Sequence, residues 1–253
     1  MRLGIISALQ EEQQGLVEAM QGPSRLMHGM RSYSAGKIAG VDAVCVLSRI
    51  GKVAAATTAT MLIEKFGVTH LLFTGVAGAG DAGVKVGDIV VAESLLQYDM
   101  DASPLFPRYQ VPLTGLSHFS TDQYLSGVLS RAATGFLETG FDDAVGKAER
   151  DDFRLRGPRV HRGLIASGDQ FISSAQHINA LSAALPGLLA VEMEGAAVAQ
   201  VCFELGVPFA VIRTISDNAN EDAAHDFMRF VTAVASKYAF HIVTRFCRVL
   251  SKT

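Results

Sequence analysis

Apolar runs of strand length alternate with helical periodicity along the whole chain. Leu3 to Ala8 reads as a strand and Glu11 to Met20 as a short helix. Val41 to Ser48 is a second strand, and Lys52 to Phe66 an Ala-rich helix with Val53, Ala56, Met61 and Leu62 on its apolar positions. His70 to Thr74 forms a strand that meets a glycine-rich segment, Gly75 to Gly80, expected to turn; Val84 to Glu93 then holds a turn and a further strand. Beyond a helical pattern from Thr121 to Leu137, strands are expected at Val160 to Ser167, Leu188 to Met193 and Phe209 to Ile215, with helices at Ala175 to Leu185 and Gly195 to Leu205. A final helix from Ala223 to Leu250 places Phe227, Phe230, Val231, Val234, Tyr238, Ile242 and Phe246 on one stripe. Strands that are apolar on both faces need cover on both, so the pattern predicts an α/β fold, a largely parallel sheet with helices on its two sides.

Two stretches break the alternation. Between Glu93 and Thr121 the periodicity fails, yet Tyr98, Phe106 and Tyr109 lie there, and a loop of such apolar content covers a pocket or meets another subunit more readily than it faces water. Gly140 to Pro158 is rich in charge and is expected to be a surface insertion. No Pro-, Gly- or Ser-rich linker divides the 253 residues, and the 49% hydrophobic content is ample for one core, so residues 1–253 are read as a single domain.

A formal charge of -3 carries no electrostatic footprint for nucleic acid or an anionic membrane, which leaves a small molecule as the expected ligand. The three cysteines, Cys45, Cys202 and Cys247, sit in apolar surroundings without C-x-x-C spacing and read as reduced core residues. The amino terminus opens directly on a strand pattern with no leader, and no apolar run is long enough to span a bilayer, so a cytoplasmic protein is expected. No histidine falls in a ligand-type spacing, and neither a metal nor a cofactor is predicted. Gly75 to Gly80 has the spacing G-x-x-G-x-G, and Gly51-Lys52 lacks the earlier glycine and following hydroxyl of a phosphate loop, so nucleotide-cofactor readings fail at both.

The candidate chemistry is carboxylate chemistry. Ala190-Val191-Glu192-Met193-Glu194-Gly195 runs acids out of an apolar strand into a helix, and Ile212 to Asp217 ends another apolar run in Ser-Asp. Glu12 closes the first strand unit. Each acid has an ordinary explanation: Glu12 opens a helix whose dipole favours it, and Asp217 is suited to cap a turn. Glu192 and Glu194, two apart in a strand and so pointing the same way, are harder to explain without a polar ligand. In open α/β sheets ligands collect at the carboxyl ends of strands, and here three strands deliver acids to one edge.

Seven segments in order, Gly4 to Ala8 with Glu11-Glu12, Ile50 to Ala56, Thr74 to Gly78, Val86 to Val90, Ser167 to Ile172, Val191 to Glu194 and Ile215 to Asp217, closely resemble the bacterial methylthioadenosine/S-adenosylhomocysteine nucleosidases of the nucleoside phosphorylase superfamily. The resemblance implies a single-domain, twisted, mixed and mostly parallel sheet flanked by helices, acting as a homodimer without cofactor or metal. It implies that Glu12 activates the attacking water, that Asp217 gives a proton to purine N7, and that Met193 and Glu194 hold the ribose. Phe171 resembles the residue that stacks on adenine and Ile172 the one whose backbone meets the base edge. Ser216 and Arg213 correspond to supporting residues, and Val76, Ala77 and Gly78 to the wall of the site. Val76 stands where many relatives have a hydroxyl, the loop from Met100 to Ser117 matches poorly, and the 140–158 segment has no aligned counterpart.

A purine leaves a ribosyl centre poorly unless a proton neutralises it, and the oxocarbenium-like centre then takes water, so one acid must be neutral and the other ionised. Rival readings are a phosphorylase using phosphate instead of water, a nucleosidase for aminodeoxyfutalosine, and a non-catalytic binding relative, the last disfavoured by the joint presence of Glu12, Glu194 and Asp217.

Overall fold

The computed structural model describes residues 1–252. Ten strands form one sheet: β1 (Arg2–Ser7), β2 (Gln21–His28), β3 (Arg31–Ile38), β4 (Val41–Leu47), β5 (His70–Ala79), β6 (Ile89–Gln97), β7 (His118–Ser120), β8 (Val160–Ser167), β9 (Leu188–Glu192) and β10 (Phe209–Asp217). The helices are α1 (Gln14–Glu18), α2 (Lys52–Glu64), α3 (Gln123–Thr139), α4 (Phe141–Ala144), α5 (Lys147–Asp152), α6 (Ala175–Ala184), α7 (Gly195–Leu205), α8 (Ala223–Phe230) and α9 (Ser236–Leu250). The α/β reading holds, and the sheet is mixed. Parallel ladders join β1 to β4 and β5, β10 to β5, β6 to β8, and β8 to β9, while β2, β3 and β4 form an antiparallel meander at one edge.

The segment expected to turn at Gly75 to Gly80 instead continues β5 through Ala79. This length lets β5 pair with β1 over residues 70–73, with β10 from Leu71 to Gly78, and with β9 at Gly78 and Ala79. Because β10 also pairs with β6, the strands β5, β10, β6, β8 and β9 close into a ring. Apolar residues pack on both faces: α3, α8 and α9 cover one cluster, with Phe136, Phe230, Tyr238 and Phe246 buried, and α2 and α7 cover the other around Phe73 and Leu62.

Other expectations change in detail. The helix predicted from Glu11 shrinks to α1, because residues 11–13 form a turn that carries Glu12 inward. The final helix is interrupted by a π-helical turn at Val231–Ala235 between α8 and α9. The charged 140–158 segment holds α4 and α5; its acids and bases are largely exposed, but Phe141, Val145 and Leu155 are buried in the core, so the segment is not purely a surface one. β2 and β3 were absent from the hydrophobic pattern, since β2 is almost wholly exposed and carries no alternation.

Candidate active site

β1, β5, β9 and β10 bring their carboxyl ends to one cleft of about 130 Å3. Glu12, Glu194 and Asp217 all line it, with Val76, Ala77 and Gly78 from β5, Met193 after β9, and Phe171 and Ile172 after β8. Ser216 and Arg213 do not reach the cleft surface; each is bonded to a carboxylate that does.

Glu12 is held by backbone alone. Its Oε2 accepts from the Ala8 and Leu9 N–H groups at 2.8 and 2.9 Å, and its Oε1 from the Val76 N–H at 3.1 Å. The carboxylate fills the space beside Gly75, where a Cβ would stand 2.9 Å from Oε1. Burial pushes its pKa up, while the three N–H donors and the nearby Arg213 guanidinium pull the other way.

Asp217 is aimed by a bulge. The register of β10 on β5 shifts between Ile215 and Asp217, so that Ser216 and Asp217 are both buried. The Ser216 hydroxyl donates to Asp217 Oδ2 at 2.8 Å and the Ala219 N–H to Oδ1 at 2.9 Å. Gly78 makes room, since a Cβ there would lie 3.0 Å from Oδ1. Burial raises the Asp217 pKa, against the Ser216 and Ala219 hydrogen bonds. Both acids are thus raised by the same cause; what separates them is that Glu12 has three backbone donors and Asp217 one.

Glu192 and Glu194 do not share one role or one strand. β9 ends at Glu192, and Glu194 is the N-cap of α7. Glu192 accepts from Arg213 Nη2 at 2.6 Å, from the Gly195 N–H at 2.9 Å and from the Ser167 hydroxyl. Arg213 is 1% exposed and lies over the Phe73 ring at 4.1 Å, so the guanidinium is sealed behind the cleft wall that Glu192 itself helps to form. Glu194 instead accepts from the Gly51 N–H at 2.8 Å. Burial, followed by the charge of Glu192, pushes its pKa up to about 8.

Phe171 is 43% exposed at the rim and meets Phe227 of α8 edge to face, 5.6 Å between ring centres. Phe227 lines the cleft and escaped sequence reasoning because it begins the apolar stripe of the last helix, where its spacing is that of a core residue. Glu192, which the sequence singles out with Glu194 as an acid at the strand end, also reaches the lining. No lysine, arginine or histidine is among the cleft-lining residues, and among the described residues no cluster of His, Cys, Asp and Glu could hold a metal. No helix of the described residues is long and apolar enough to cross a membrane.

Residues 2–248 match the family model of the phosphorylase superfamily. The chain is 37% identical over 225 residues to the 5′-methylthioadenosine/S-adenosylhomocysteine nucleosidase of Maridesulfovibrio salexigens, covering 88% of this chain and 89% of that one. The crystal structure of the Neisseria meningitidis nucleosidase of the same name, in complex with methylthio-immucillin-A, superposes with a TM-score of 0.86 at 32% identity, covering 98% of this chain and 99% of that one. Futalosine hydrolase of Helicobacter pylori gives a TM-score of 0.81 at 31% identity, covering 97% of each chain. With the fold, the order of its segments and near-complete coverage in agreement, the chain belongs to the phosphorylase superfamily and, within it, to the 5′-methylthioadenosine/S-adenosylhomocysteine nucleosidases.

Proposed function

We propose that the protein hydrolyses the N-glycosidic bond of 5′-methylthioadenosine, S-adenosylhomocysteine and related 5′-substituted adenosines, releasing adenine and the thioribose. The observation that carries this reading is the convergence of Glu12, Glu194 and Asp217, from three separate strand ends, on a single cleft with an aromatic ring at its rim. Burial favours the protonated form of Asp217, which passes its proton to N7 as the glycosidic bond lengthens. Ionised Glu12, made more basic by burial, takes the proton of the water that attacks the anomeric carbon. Glu194 accepts from the ribose hydroxyls beside Met193, while Phe171 stacks on adenine and the Ile172 backbone meets its edge. Val76, Ala77 and Gly78 form the wall behind the ribose. Arg213 and Ser216 hold Glu192 and Asp217 from outside the cleft.

Water is favoured over phosphate as the acceptor because four carboxylates and no cation line the cleft. An oxyanion of two negative charges needs several donors. Arg49, two residues before Gly51, donates to the Met30 carbonyl, and Arg213 is occupied by Glu192. Adenine release should therefore be independent of phosphate, and formation of ribose-1-phosphate would overturn the assignment. Asp217→Asn and Glu12→Gln should each lower kcat by about 10²-fold or more, as loss of a general acid or base does; substantial turnover in either would refute the roles given. The likeness to a futalosine hydrolase supports aminodeoxyfutalosine as a second substrate, which a panel of adenine nucleosides would decide.

The reading extends to a cytoplasmic homodimer serving methionine salvage. Three buried free thiols suit a reducing compartment. Val53 on α2 is 80% exposed, and Leu105 and Leu113 in the 98–117 loop are 84% and 92% exposed, apolar side chains that a second copy would cover. Sedimentation should give a dimer, and Val53→Glu should weaken it; a wild-type monomer at micromolar concentration would refute this.

A further inference from the structure

Four groups outside the cleft converge on the loop that carries Phe171 and Ile172. The Asp169 carboxylate accepts from the Lys52 N–H at 2.9 Å, in the first turn of α2. The Asp169 N–H in turn donates to Asp99 Oδ2 at 2.9 Å, and the Lys52 ammonium donates to Asp99 Oδ1 at 2.5 Å. The Tyr98 hydroxyl donates to the Gln170 carbonyl at 2.9 Å, and its ring lies so close under Gly168 that a Cβ there would meet it at 2.3 Å. Neither Asp99, Asp169 nor Lys52 lines the cleft. Immediately before Lys52, the Gly51 N–H donates to Glu194. Two successive amides at the start of α2, those of Gly51 and Lys52, therefore hold the ribose-side carboxylate and the base-side loop in one frame.

We propose that Asp169 is a positioning residue: braced by Asp99 and anchored on α2, it fixes the 168–172 loop so that the purine platform and Glu194 keep one spacing. The inference rests on the function proposed above. Its chemistry is simple, since a loop whose backbone is bonded at residues 169 and 170 has little freedom left to move Phe171. The loop bonds are partly exposed, so each contributes modestly and the effect belongs to ligand alignment more than to folding.

The test compares wild type with Asp169→Ala, Asp169→Asn and Tyr98→Phe, reading KM and kcat for methylthioadenosine, Kd for adenine by calorimetry, and Tm. Asp169→Ala is expected to raise KM and the adenine Kd about five- to tenfold with kcat changed less than about twofold, the size of one or two hydrogen bonds. Asp169→Asn, whose Oδ1 still accepts from Lys52, should recover most of the loss. Tyr98→Phe keeps the ring under Gly168 and should raise both constants by a smaller factor. Unchanged KM and Kd in Asp169→Ala, a fall in kcat alone, or equal damage from Asn and Ala would overturn the proposal. If the alanine variant does not fold, Asp169→Asn and Tyr98→Phe decide it, and a Tyr98→Phe protein with wild-type constants counts against it. Wild-type protein that releases no adenine from any nucleoside refutes the function itself, whereas adenine calorimetry tests the brace without turnover.

Discussion

Gly75 and Gly78 show how much a site depends on side chains that are missing. Both lie within β5, and neither has a positive φ, so the backbone would accept alanine. What would not is the carboxylate opposite: a Cβ at Gly75 would crowd Glu12 Oε1 at 2.9 Å, and one at Gly78 would crowd Asp217 Oδ1 at 3.0 Å. Gly75→Ala should therefore fold with a near-wild-type Tm yet lose about 10²-fold in kcat, the scale of a catalytic group displaced by an ångström. Unchanged kcat would show that Glu12 relaxes without cost. The acids themselves were legible in the sequence because a charge at the end of an apolar strand stands out. The glycines were not, because their purpose appears only once β5 is paired in register with β10 and Glu12 folds back against it.

At the level of elements, legibility followed burial. Strands sealed on both faces, such as β10, were found within a residue or two, whereas β2, exposed nearly throughout, left no mark. The Gly- and Ala-rich half of β5 has the composition of a turn, but pairing with β10 and β9 overrides that local propensity. The strand that the pattern carries to Met193 ends at Glu192, so Glu192 turns to Arg213 and Glu194 to Gly51. Glu192 accepts from residues of β8, β10 and the start of α7, and it is the only carboxylate that Arg213 meets among the ion pairs of the described residues. Removing one partner of such a pair strands the other in a dry interior. Glu192→Ala should cost about 3–5 kcal/mol in urea unfolding, and a loss below about 1 kcal/mol, the size expected of an exposed pair, would show that the guanidinium finds other partners.

Across the whole molecule, alternation foretold helices on both sides of a sheet but not the closed ring of β5, β10, β6, β8 and β9, since ring closure depends on which edges meet and not on any one strand's pattern. That ring concentrates buried acids at one end, and the concentration has a consequence for folding. Glu194 keeps its proton up to about pH 8 in the native protein, against 4.5 as its ordinary value, and Glu12 and Asp217 are shifted in the same direction. Between those two pH values the unfolded chain has released the Glu194 proton and the native chain still binds it, so stability falls as pH rises, at about 1.4 kcal/mol per pH unit for one whole proton. Below pH 4.5 the contribution is fully present, and above about 8 it is gone. Ligand-free protein should thus lose Tm from pH 5 to pH 8. Glu194→Gln, which has no proton to lose, should show a shallower fall, so that the variant gains on wild type as pH rises. Parallel Tm profiles for the two proteins over that range would mean that Glu194 is ionised in the native cleft, and that the ribose meets a carboxylate from the start.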